Sequence, residues 1–83
     1  MPYENVDGKI SRLYVNSDSC NIRLDGHGER YFTLGQDHGN YPSIYSLLVA
    51  GMIHRNEVRL RLESYADGEP PSDVVRYIVV DQP

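Results

Sequence analysis

From Pro42 to Met52 the chain reads PSIYSLLVAGM, a run without a single charge, set between two groups of alternating, strand-like sequence. Ile44, Leu47, Leu48, Gly51 and Met52 fall at the i, i+3, i+4, i+7, i+8 spacing of one helix face. Tyr45, Val49 and Ile53 form a second stripe beside it. An apolar arc this wide exceeds what a small sheet covers, so one face is expected to seat the domain and the other to meet a partner.

The segments around the helix read as strands. Lys9–Asn16 carries apolar residues on both parities, which predicts a long strand with a bend or bulge. Cys20, Ile22 and Leu24 alternate with Asn21, Arg23 and Asp25, a half-buried strand, and Phe32 and Leu34 mark a short third one. Asn40 and Pro42 suit the start of the helix; His54, Arg55 and Asn56 suit its end, with Asn56 as the left-handed residue. Glu57–Glu63 alternates cleanly, with Val58, Leu60 and Leu62 inward, and Val74–Val80 is apolar on both parities.

The expected order is therefore βββ-α-ββ. That is the order of a five-stranded OB-fold barrel, with an open α+β sheet carrying one helix as the alternative. The 83 residues allow one domain: a flexible arm over 1–7, the barrel over 8–80 and a tail over 81–83.

Twelve acidic residues against eight basic ones disfavour a non-specific nucleic-acid binder. No run is long enough to span a membrane, and MPYENVDG lacks the pattern of a signal peptide. As written the chain reads as cytoplasmic, or as secreted if a leader has been removed. A lone Cys20 forms no intrachain disulfide, and its parity with Ile22 and Leu24 makes it a buried, inert thiol rather than a nucleophile.

His27, His38 and His54 stand singly, so no metal site is expected. The aspartates sit beside Gly, Ser or Asn, as turn residues do, and no enzyme motif or cofactor signature appears. Arg12, Arg23, Arg59, Arg61 and Arg76 fall on strands, with Tyr14 and Tyr31 nearby. They read first as cross-strand partners of acids such as Glu57 and Glu63, and second as a surface for single-stranded nucleic acid. Asp7, Asn40 and Tyr41 are the loop positions able to offer polar groups beside a ring to a sugar or other small ligand. Tyr45, Val49 and Ile53 on the helix, with Val75, Tyr77 and Val79 on the last strand, are the expected contacts between copies of the chain.

Four phrases, GKISRLYV, YSLLVAGMI, EVRLRLE and RYIVVDQP, together resemble the B subunits of pertussis-like and subtilase-like AB5 toxins, or a related family of small bacterial OB-fold proteins. The resemblance implies a non-enzymatic ring of five OB barrels with central helices, a glycan-binding surface and a larger A-type protein partner. It places Asp7 near the family's sugar site, at a position where Ser is often found. The chain departs from those secreted subunits in lacking their cysteine pair. The competing expectations are a single-stranded nucleic-acid-binding OB domain and a structural subunit that binds only protein.

Overall fold

The computed structural model describes residues 2–80. It is mainly β with one helix: β1 (Asn5–Val15), β2 (Ser19–Leu24), β3 (Tyr31–Gly35), α1 (Tyr41–Ile53), β4 (Glu57–Leu62) and β5 (Val75–Val80). The five strands form one antiparallel sheet in the order β3-β2-β1-β4-β5. Its two edge strands approach each other at an isolated parallel bridge between Thr33 and Val74, where the Thr33 N–H donates to the Asp73 carbonyl at 2.8 Å. No continuous ladder closes the sheet there.

β1 is the hinge of the sheet, because its first half pairs with β4 from Asn5↔Arg61 to Lys9↔Glu57 and its second half with β2 from Ile10↔Leu24 to Val15↔Cys20. Gly8 sits next to this change of partner. A Cβ there would lie 2.8 Å from the Asp25 carbonyl oxygen, so only glycine lets β1 pass the end of β2 this closely. The expected bulge lies between Ile10 and Arg12. The extra residue, Ser11, turns the following side chains to the opposite parity, which is why Ile10 and Leu13 both pack on the core.

The expected arm over 1–7 is corrected over its described part, residues 2–7. β1 already begins at Asn5, and Val6 is buried in the core. Leu62 N–H donates to the Glu4 carbonyl at 3.0 Å and Tyr65 N–H to the Pro2 carbonyl at 3.0 Å. One apolar residue among polar neighbours is a weak pattern, but the backbone pairing with β4 carries the segment. The expected tail, 81–83, lies outside the described residues.

α1 starts at the expected place, with Asn40 as N-cap and Pro42 in the first turn, although the Asn40 side chain makes no capping bond. At the other end Arg55, not Asn56, adopts the left-handed conformation with φ 55°. Arg55 N–H reaches the Met52 carbonyl at 3.2 Å and Asn56 N–H the Gly51 carbonyl at 3.0 Å, the paired bonds of a Schellman cap. The core face of the helix is narrower than its spacing suggests: Ile44, Leu48 and Gly51 are buried, whereas Leu47 and Met52 are exposed. Gly51 sets the approach to the sheet, since a Cβ there would meet Val58 Cγ1 at 3.1 Å.

The core joins Ile22, Leu24, Phe32 and Leu34 from the meander to Leu48 from the helix and Val58, Leu60, Leu62 and Val75 from the last hairpin. Each such side chain contributes about 1.5–3 kcal/mol by leaving water. Among the described residues no polar or charged side chain is buried with them.

Candidate functional site

The inward residues of β1, β2 and β3 serve the core, and their outward neighbours build a polar and aromatic surface. Strand register sets it out in two rows of three. Tyr14 faces Asn21, which faces Thr33; Arg12 faces Arg23, which faces Tyr31. Arg12, Tyr14, Asn21 and Tyr31 line a shallow, open hollow of about 360 Å³. A second hollow shares Arg12 with it, is lined by Arg23 as well, and runs toward Asp25 and Gly28.

The two arginines stand directly opposite each other on neighbouring strands, an arrangement that like charges disfavour. Arg23 donates from Nε to the Gly28 carbonyl at 3.0 Å. Arg12 has no side-chain hydrogen bond or ion pair among the described residues. The expected pairing with Glu57 or Glu63 is therefore absent from this face. Asn21 is held in place instead, accepting from Thr33 Oγ1 at 3.0 Å and donating to Ser19 Oγ at 3.4 Å and the Tyr14 carbonyl at 3.5 Å. Its outward parity was visible in the sequence, but its place beside Tyr14 and Thr33 follows only from register.

The remaining strand arginines are engaged differently. Arg59 donates from Nε to Asp7 Oδ1 at 2.7 Å, an acid directly opposite it on β1. The Arg61 guanidinium lies 3.2 Å from the ring centroid of Tyr3 and 5.7 Å from that of Tyr77. Such stacking is worth about 0.5–1 kcal/mol at an exposed site.

Asp7, Asn40 and Tyr41 have different partners and are not joined by any hydrogen bond or ion pair. Asp7 is a strand residue tied to Arg59, and its carbonyl meets His27 Nε2 at 2.9 Å. Asn40 N–H donates to His38 Nδ1 at 3.0 Å, which leaves His38 Nε2 to carry the proton and donate to the Arg76 carbonyl at 2.7 Å. That pair of bonds pins the start of the helix to β5. Tyr41 stacks on Tyr45, with centroids 5.9 Å apart and planes within 5°.

The expected interface residues divide. Tyr45 and Val49 are half-buried, while Ile53 is 70% exposed in the single chain, with Leu47 and Met52 uncovered as well. Tyr77 and Val79 are exposed on the outer face of β5. Val75 is a correction: it is fully buried in the core and unable to meet another chain. A bulge opposite Arg61 and Leu62 makes Arg76 the extra residue of β5, so Val75 and Ile78 both turn inward although their parities differ.

Cys20 is fully enclosed, and burial pushes its thiol pKa up, the opposite of what a nucleophile needs. Among the described residues no three His, Cys, Asp or Glu side chains converge to hold a metal ion, and no helix is long and apolar enough to cross a membrane. Compared with known proteins, the chain matches no family model, no curated protein and no solved structure.

Proposed function

We propose that this chain is a non-enzymatic binding subunit that assembles with copies of itself into a closed ring, most simply of five. The observation that carries this reading is α1. It bears no charge from Tyr41 to Ile53, yet fully buries only Ile44, Leu48 and Gly51 against its own sheet, with Tyr41 and Tyr45 partly covered. A helix apolar on nearly every side belongs inside a larger body. Leu47, Met52 and Ile53 would gain that environment from neighbouring helices, and the exposed Tyr77 and Val79 on the edge strand β5 would be covered by the same closure.

An OB-type barrel is the finer reading of the sheet. It is supported by the strand order β3-β2-β1-β4-β5, the helix between β3 and β4, and the approach of the two edges at Thr33 and Val74. The same features agree with the resemblance to AB5 toxin B subunits, which would make the ligand a glycan. Asp7, Asn40 and Tyr41 are each engaged with different partners, so ligand binding is better assigned to the outer face of β1, β2 and β3. Light scattering after size exclusion at micromolar concentration tests the assembly: a mass of several chains is expected, and a clean monomer would overturn it.

A further inference from the structure

We propose that the outer face of β1, β2 and β3 binds a mononucleotide, with its phosphate between Arg12 and Arg23 and its base against the tyrosine rings. This deepens the binding-subunit reading and rests on it for the role of the face, but uses none of the helix observations.

Charge comes first. Arg12 and Arg23 are opposed in register, neither meets a carboxylate, and Arg23 spends only its Nε–H on the Gly28 carbonyl. The remaining guanidinium N–H groups are free for a ligand, and an anion between them removes the repulsion that the empty pair carries. A phosphate monoester brings about −1.5 to −2 charges near neutral pH and matches two guanidinium groups; a carboxylate brings one.

The ring comes second. Tyr14 is 52% exposed, and it lines the same hollow as Tyr31 and Arg12. Three strands at a spacing of about 4.8 Å and two residues along each give a face of about 10 by 7 Å, room for one base and one phosphate. A sugar fits the chemistry less well, because its hydroxyls need donors and acceptors on several sides. Here Asn21 and Thr33 are already bonded to each other, and Asn21 also bonds Ser19 and the Tyr14 backbone.

A longer strand is disfavoured. The hollow beyond the two arginines leads to Asp25, and the chain as a whole carries a formal charge of −4, both of which repel a second phosphate.

The test is a titration of the ¹⁵N-labelled full chain with AMP, followed by NMR. Inorganic phosphate, adenosine, N-acetylneuraminic acid and an oligo(dT) strand are run in parallel. Expected are shifts at Arg12, Tyr14, Asn21, Arg23 and Tyr31, with AMP bound more tightly than phosphate or adenosine alone. Arg12→Glu and Tyr14→Ala, both at exposed positions, should each weaken AMP on the order of tenfold or more while leaving the oligomeric mass unchanged. Shifts elsewhere, an affinity no better than that of phosphate, or variants that bind AMP as the parent does would overturn the proposal. So would tighter binding of oligo(dT), which would make the face a strand binder. Tighter binding of N-acetylneuraminic acid would overturn it while leaving the binding-subunit reading intact. Silence toward every probe and on a glycan array would overturn both.

Discussion

Arg30 donates its Nε–H to Asp73 Oδ1 at 2.7 Å although 43 positions separate the two residues. A second N–H reaches Glu4 Oε1 at 2.8 Å, and the guanidinium lies 4.8 Å from the ring centroid of Phe32. One side chain thus ties together the segment before β1, the loop before β3 and the loop before β5, next to the backbone bond from Thr33 to Asp73. It stands where a ladder would have to close the sheet.

Replacing Arg30 by Met should therefore lower stability by about 1–2 kcal/mol, since each half-exposed ion pair contributes about 0.2–1 kcal/mol and the ring contact adds a similar amount. The urea midpoint should fall, and the gap between parent and variant should narrow in high salt, which screens the pairs. The hydrogen bond to Glu4, above all, raises the Arg30 pKa. A raised pKa means that the guanidinium's contribution is fully present below its unfolded value and is lost only in strong alkali. A loss of Arg30 stabilisation around neutral pH would contradict this account.

Legibility varied along the chain for physical reasons. β4 was readable because Val58, Leu60 and Leu62 alternate with Arg59 and Arg61, so only one register buries the apolar set. The second strand was readable for the same reason. α1 was recognisable as a helix, but with apolar residues on nearly every side its spacing could not distinguish the buried Leu48 from the exposed Leu47. The arginines of the outer face were visible as strand residues with Tyr14 and Tyr31 nearby, whereas the opposition of Arg12 and Arg23 depends on a bulge at Ser11 that no alternation pattern locates.

β5 offers the sharpest case, because VVRYIVV is apolar on both parities and the bulge at Arg76 decides which valines are inside. Val75 is buried, while its neighbour Val74 is 40% exposed. Val75→Asp should unfold the domain or destabilise it severely, because the carboxylate would be buried without a partner, whereas Val74→Asp should change stability by only about 0.5 kcal/mol. Circular dichroism melts of the two variants make the comparison. Equal losses would show that the bulge is misplaced.

Cys20 supplies a prediction with a definite sign. Burial raises its thiol pKa above the ordinary value of 9.0, so the folded state disfavours the thiolate. Stability from this group is complete below pH 9.0 and falls as the pH rises past it, because the unfolded chain ionises first. Cys20→Ala should lack that part of the alkaline slope. In the parent, thiol labelling at neutral pH should be slow until denaturant is added; rapid labelling of the native protein would mean that the second strand opens readily.

The helix gives the most direct separation of fold from assembly. Leu48 faces the core, so Leu48→Ala should cost about 2–5 kcal/mol whatever the oligomeric state. Ile53 is 70% exposed in the single chain and packs on nothing that the core requires. In an isolated chain, Ile53→Arg should leave the unfolding midpoint nearly unchanged. In a ring lined by helices the same change places like charges together in an apolar interior, where they cannot be solvated, and the ring should dissociate. Expected for Ile53→Arg is a folded monomer by light scattering, with its β-sheet spectrum retained and any dependence of the melting temperature on protein concentration lost. If the mass stays that of several chains, copies meet through another surface, and the exposed edge residues Tyr77 and Val79 become the next positions to charge.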